Sequence, residues 1–221
     1  MKNAVIIVAA GSGKRFENKV PKQFLKLNGK PMFLWSVNAF AAIKSFKQII
    51  LVVPSYMMRA LTLKYKNAFE CVAGGKKRFD SVRNGLALVT NDIDFVAVHD
   101  AARPLISKND ILAVLTEAKK TKAAIAVEKT KDTIKLVSES NKVLKTLNRV
   151  VLRNAQTPQI FESHLIKKAY LKKISAKTTD DSQLIEKLNV KVFAIETKFP
   201  NFKITTKQDF DLAEKLLNER M

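Results

Sequence analysis

Unbroken apolar runs alternate with amphipathic segments along this chain. Residues 3–10, NAVIIVAA, form a continuous apolar run, as expected of a strand buried on both faces. Residues 31–43, PMFLWSVNAFAAI, place apolar side chains at helical spacing behind a proline suited to a first turn. The β-branched run 46–54 stops at Pro54, and 55–65 reads as a helix with Ser55 as N-cap. A short strand over 69–75 runs into glycines, and a helix over 80–89 has Asp80 as its N-cap candidate. Strand 95–102, amphipathic helix 107–122 and strand 123–128 continue the series. This rhythm predicts an α/β fold: a mostly parallel twisted sheet flanked by helices on both faces.

The rhythm breaks at 129–156. Two strand-like arms there surround SESN, a turn-prone polar cluster, and predict a protruding β-hairpin arm. The hairpin is either an ordinary edge element or an arm that reaches a second subunit. After TPQIF the pattern predicts helices over 162–173 and 179–188, a strand over 190–196 and a closing helix over 207–220. No repeat, low-complexity tract or linker interrupts the chain. It reads as a single domain over 1–221, with 129–156 as its arm.

Composition narrows the class. Of 221 residues, 47% are hydrophobic, which excludes a disordered chain. Cys71 is the one cysteine, so no internal disulfide can form, as in a reducing compartment. It sits in an apolar run with no base nearby and reads as a small core residue. No apolar stretch approaches the roughly 20 residues of a membrane span, and the short first run lacks the features of a secretory leader. The expected location is cytoplasmic, with no membrane partner. The net charge is +20, but the lysines are scattered and lack interleaved aromatics. That distribution argues against a specific nucleic-acid partner and favours small anionic substrates.

The chemistry concentrates after the first strand. In VIIVAAGSGKRF, glycines and cations follow the C-terminal end of a strand, the edge where open α/β sheets bind ligands. Glycine lets the backbone approach phosphate, and successive N–H groups form an anion nest. A P-loop is excluded, because Val8 stands where its first glycine belongs and Arg15 replaces its Ser/Thr. A dinucleotide fingerprint is excluded by Phe16 in the place of its third small residue. What remains is a phosphate loop with Lys14, Arg15 and Lys22 beyond it.

That loop with PKQFLKLNGKP behind it resembles the sugar-nucleotide pyrophosphorylase family of nucleotidyltransferases. The blocks GGKKRFDSVRNGL (74–86), VHDAARP (98–104), KDTIK (131–135), TPQIF (157–161), TTDDSQLIE (178–186) and FKIT (202–205) then follow in order. Together they resemble the methylerythritol phosphate cytidylyltransferase family over essentially the whole chain. The resemblance implies a Rossmann-like fold of the nucleotide-diphospho-sugar transferase type. It implies transfer of CMP from CTP to the polyol phosphate, with Mg2+ brought largely by CTP. It also implies a homodimer formed through the 129–156 arm.

Roles carry over position by position as implications of that resemblance. Arg15 and Lys22 match stabilisers of the transition state at the α-phosphate. Ala9, Ala10, Gly11, Gly13 and Lys14 match the loop around base and phosphates. Gly75, Lys76 and Ser81 match the cytosine and ribose pocket. Lys76 stands where some relatives carry an acid, so a backbone contact survives there and a side-chain contact does not. Asp100 and Arg103 match residues beside the polyol phosphate. Asp100 could accept polyol hydroxyls or help hold Mg2+, and the first is favoured because a triphosphate supplies most metal ligands. Thr133 and Arg149, on the arm, match groups that grip the polyol phosphate across a dimer. Lys203 matches the last substrate-positioning cation, preceded here by Phe202 where the family usually has Ile.

Plainer readings stand beside these. His99 reads as a packed, hydrogen-bonded residue, His164 as a helix-surface residue and Trp35 as core. Asp180 and Asp181 read equally as a paired metal site or as caps of the next helix. The rival activities are ribitol 5-phosphate cytidylyl transfer and non-catalytic binding of nucleotides or nucleic acid. HDAARP and RFDSV favour methylerythritol phosphate over ribitol phosphate.

Overall fold

The computed structural model describes residues 1–11, 21–175 and 177–220. Strands β1 (Asn3–Val8), β4 (Phe46–Val53), β5 (Glu70–Ala73), β6 (Phe95–Asp100), β7 (Ala123–Lys129), β10 (Arg153–Glu162) and β11 (Phe193–Glu196) form one sheet. Its order is β11-β7-β10-β6-β1-β4-β5. All neighbours pair in parallel except β10, which runs antiparallel to both β6 and β7. The ribbon β2 (Lys26–Leu27) and β3 (Lys30–Pro31) turns through Asn28 and Gly29, both at positive φ. Strands β8 (Lys135–Val137) and β9 (Val143–Thr146) make a separate two-stranded sheet, the predicted hairpin.

Helices α1 (Met32–Ala41), α2 (Ser55–Lys64), α3 (Arg78–Leu86), α4 (Lys108–Thr121), α5 (Ser163–Leu171), α6 (Ser182–Glu186) and α7 (Lys207–Asn218) complete the fold. Alternate side chains of β1 enter opposite cores. Val5 and Ile7 pack with Phe33, Phe40 and Ile111 on one face, whereas Ala4 and Ile6 pack with Val82, Leu86 and Phe161 on the other. A third cluster joins Leu27, Met32, Leu105, Ile204, Ala213 and Leu217, and so seats α7 beside the segment that carries Lys203.

Gly85 brings α3 down onto β1. A Cβ there would lie 2.6 Å from Cγ2 of Ile6, so a side chain would lift the helix from the sheet. This close approach sets the N-terminal end of α3 at the end of β1, where the site forms.

Several boundaries differ from the sequence pattern for local reasons. Ser55 is the first helical residue of α2, because Pro54 takes the N-cap position in an extended conformation. Pro31 likewise precedes α1 instead of starting it. Helix α3 begins before Asp80, which sits in its first turn and accepts the N–H of Lys77 at 3.0 Å. Helix α6 is only five residues long. The antiparallel strand β10 escapes a pattern search because its inward residues Gln156, Thr157 and Gln159 are polar.

Candidate active site

The order β4-β1-β6 reverses direction of growth at β1, and ligands bind at the carboxyl ends of strands at such switch points. A cavity of about 490 Å³ opens there. Its walls come from Val8, Ala9, Ala10 and Gly11 after β1, Gly75 to Arg78 and Ser81 around the start of α3, and Asp100 and Ala102 after β6. Lys22, Gln23 and Lys203 complete it from outside the sheet.

The glycine pair Gly74-Gly75 lets two walls close on each other. A Cβ on Gly74 would lie 2.2 Å from that of Ala10 and 2.9 Å from Oγ of Ser81. Ser81 in turn accepts the N–H of Gly75 at 3.2 Å, which ties the loop to α3. On the opposite side Gln23, buried, donates from Nε2 to the carbonyls of Ala9 at 2.6 Å and Gly11 at 2.7 Å. Gln23 thus spans the start of the phosphate loop.

The electrostatic centre is Asp100. Lys203 donates to its Oδ2 at 2.6 Å, and the Nε of Arg78 lies 3.4 Å from its Oδ1. Burial alone would raise this carboxyl, but Arg78 and Lys203 outweigh it and hold it well below the usual carboxylate range. Arg78 reaches in the other direction to the fully buried Asp181 at 2.7 Å, and Tyr170 donates its hydroxyl to the same carboxylate. Burial lowers the Arg78 guanidinium; Asp181 and Asp100 more than reverse that and lock it protonated. Lys22 donates to the carbonyl of Ile204, the residue after Lys203, at 2.5 Å.

Of the residues singled out in the sequence, Ala9, Ala10, Gly11, Lys22, Gly75, Lys76, Ser81, Asp100 and Lys203 meet on this cavity. Gly13, Lys14 and Arg15 lie outside the described residues. Arg103 is turned away from the cavity wall: its Nη1 donates to the carbonyl of Asn201 at 2.7 Å. Thr133 and Arg149 lie on the arm, away from the wall, and Arg149 donates to the carbonyl of Lys131 at 2.7 Å. Phe202 packs against the α7 cluster and does not line the cavity.

Asp180 and Asp181 do not share a ligand position. Asp180 accepts the N–H of Gln183 at 3.2 Å and caps α6, while Asp181 anchors Arg78. Among the described residues no three His, Cys, Asp or Glu side chains converge as a metal site. Gln23 and Arg78 were given no role by the sequence, and Asp181, read there as a metal ligand or a helix cap, instead anchors Arg78. Their partners lie 12 to 103 positions away, although PKQF, RFDSV and TTDDSQ each contain one of the three.

A family model described as IspD, 2-C-methyl-D-erythritol 4-phosphate cytidylyltransferase, matches residues 3–219. The 2-C-methyl-D-erythritol 4-phosphate cytidylyltransferase of Endomicrobium trichonymphae is 70% identical over 217 residues, 98% of this chain and 99% of that one. The protein of the same name from Caldanaerobacter subterraneus subsp. tengcongensis is 38% identical over 227 residues, 99% of this chain and 100% of that one. Among solved structures, the 4-diphosphocytidyl-2C-methyl-D-erythritol synthase of Anaerococcus prevotii superposes with a TM-score of 0.84 at 30% identity, covering 98% of each chain. The bifunctional IspDF of Campylobacter jejuni superposes with a TM-score of 0.82 at 30% identity, covering 96% of this chain and 54% of that one.

Proposed function

The chain belongs to the 2-C-methyl-D-erythritol 4-phosphate cytidylyltransferase family, and on that premise we propose how its cavity carries out the transfer. The enzyme moves CMP from CTP to methylerythritol phosphate and releases pyrophosphate, a step of isoprenoid biosynthesis. A phosphate oxygen of the polyol phosphate forms a bond to the α-phosphorus as the bond from that phosphorus to the β-phosphate bridge breaks. A phosphate monoester with a second pKa of about 6 is already mostly dianionic at neutral pH, so no general base is needed. The obstacle is the approach of two anions, and cations preset in the cavity address it.

In this reading Ala9, Ala10, Gly11 and the Gly75–Ser81 loop seat the nucleotide. Lys22 and Lys203 neutralise charge on the two phosphates that react, and Arg15 and Lys14 join them from the phosphate loop. Asp100 accepts hydroxyls of the polyol. Its pairing with Lys203 keeps it ionised and therefore an acceptor. The observation that carries the assignment is that Lys203 pairs with Asp100 on the cavity wall while Lys22 holds the carbonyl of Ile204, the residue next to Lys203.

The side chains of the cavity do not by themselves fit a resident metal ion. Asp100 is the one carboxylate on the described wall, and two cations already hold it. We propose that Mg2+ enters as the CTP complex, with the triphosphate supplying its ligands. The arm exposes Leu136, Val137, Val143 and Leu144, an apolar surface that fits burial against a second copy. A homodimer so formed would bring Thr133 and Arg149 to a neighbouring site. The single cysteine and the nucleotide substrate fit a cytoplasmic enzyme.

Lys22→Met and Lys203→Met test the assignment. Each is expected to lower kcat by about a hundredfold with an unchanged circular dichroism spectrum. Native kcat in either variant would remove that lysine from the reaction.

A further inference from the structure

His99 is fully buried and takes no part in the chemistry above, yet its two ring nitrogens have different partners. Nε2 lies 3.2 Å from the carbonyl of Arg103, and Nδ1 lies 3.1 Å from Oγ1 of Thr157. The Phe40 ring packs against it, tilted by 60°, at 5.4 Å between ring centroids. Thr157 Oγ1 also accepts the backbone N–H of Asp100 at 3.0 Å.

These contacts fix every proton. A carbonyl only accepts, so Nε2 of His99 carries a hydrogen and donates it to Arg103. Burial pushes the His99 pKa down to about 4, so the ring is neutral and Nδ1 is bare. The Thr157 hydroxyl therefore donates to Nδ1 and receives from Asp100. The polarity runs one way: Asp100 N–H to Thr157 hydroxyl to His99 Nδ1, then His99 Nε2–H to the Arg103 carbonyl.

The two ends of this relay are the two ends of one turn. Arg103 N–H donates to the Asp100 carbonyl at 3.0 Å, closing Asp100 to Arg103 as a single loop. Within it the carbonyl of Ala102 accepts the N–H of Ile204 at 2.8 Å. Ile204 follows Lys203, and its own carbonyl receives the ammonium of Lys22. The turn thus carries Asp100 directly and, through one backbone hydrogen bond, the segment that bears Lys203 and receives Lys22. Asn201 closes the outside of the ring. It donates to the carbonyl of Thr157 at 2.9 Å and accepts Arg103 Nη1 at 2.7 Å.

We propose that His99 and Thr157 are positioning residues: a neutral His99 held in its Nε2–H form and the Thr157 hydroxyl set the Asp100–Arg103 turn, and with it the Asp100 carboxylate and the Lys203 ammonium. The proposal rests on the reading of Asp100 and Lys203 as polyol-phosphate ligands. A residue held only for stability would affect both substrates alike. A residue that sets this turn acts chiefly on the polyol side, because the nucleotide walls after β1 and around α3 are tied by Gln23 and Ser81.

Two variants divide the relay. His99→Gln keeps a donor for the Arg103 carbonyl at the Nε2 position and removes the acceptor from the Nδ1 position that faces Thr157. Thr157→Val removes the hydroxyl at nearly constant shape, and Thr157→Ser restores it. Thr157→Val and His99→Gln are each expected to lower kcat/KM for methylerythritol phosphate by about tenfold or more, with the KM for CTP changed less than about twofold. Thr157→Ser should recover most of the loss, and the double variant should be little worse than either single one. Native kcat/KM in both single variants, or an equal rise in both KM values, would overturn the proposal, as would a Thr157→Ser no better than Thr157→Val. Nitrogen NMR of the native protein decides independently of turnover. The Nε2–H form of His99, unchanged through neutral pH, is expected; an Nδ1–H form would overturn the relay. Absence of transfer by the native protein would instead overturn the functional reading on which the kinetic arm depends.

Discussion

The ammonium of Lys203 donates to the carboxylate of Asp100 at 2.6 Å, while Arg78 faces the other oxygen at 3.4 Å. Burial works against ionisation of Asp100, and these cations prevail, so its folded pKa is depressed. For a depressed carboxyl the linked stability is fully present above the unfolded pKa of about 4 and is lost as pH falls towards the folded value. Asp100→Asn should therefore flatten the acid side of the stability profile. Urea unfolding from about pH 7 down to pH 3 checks this, with the native protein losing stability below pH 4 more steeply than the variant.

Arg78 depends on Asp181 as much as Asp100 depends on Arg78. Asp181 is fully buried and accepts from both Arg78 and Tyr170. Asp181→Ala leaves a guanidinium that is mostly out of water with one carboxylate fewer. The expected cost is about 3 kcal/mol in urea unfolding at neutral pH. Activity should fall with it, because Arg78 would swing from its place against Asp100.

Gly74 separates the two walls of the nucleotide pocket by the width of a missing methyl group. In Gly74→Ala the new Cβ would collide with that of Ala10, and neither group is the end of a flexible chain. The walls must part, and the KM for CTP should rise at least about tenfold while that for the polyol phosphate moves less. Initial-rate kinetics with each substrate varied in turn measure the split.

The arm offers a test of assembly. Val143 and Leu144 are exposed on β9. Introducing a charge by Leu144→Asp in an interface core would oppose association. The variant should sediment as a monomer where the native chain sediments as a dimer, and its kcat should fall about tenfold or more. A native chain that sediments as a monomer would contradict the dimer.

The alternation of β1, α1, β4, α2, β5, α3, β6, α4 and β7 was legible because the strands are short, mostly apolar runs and the helices between them place apolar residues at helical spacing. The hairpin was legible from its turn. Strand β10 was not, because amides and a hydroxyl are buried along it beside Ile160 and Phe161 and break the apolar run. Gln156, Thr157 and Gln159 are satisfied by Asn201, His99, Asp180 and the N–H groups of Asp181 and Ser182, all distant in sequence. The same limit hid Gln23 and Arg78. Arg78 stands in a run of three basic residues, and its pairing with Asp181 and Asp100 separates it from Lys76 and Lys77. His99 was read correctly as packed and hydrogen-bonded; that it joins the two ends of a site turn depends on Thr157, fifty-eight positions away.

Transfer of CMP to methylerythritol phosphate in this cavity is checked by pyrophosphate release from CTP and Mg2+, with methylerythritol phosphate and ribitol 5-phosphate compared as acceptors. Turnover is expected with methylerythritol phosphate, and little or none with ribitol 5-phosphate. Turnover with ribitol 5-phosphate alone, or with neither acceptor, would contradict it.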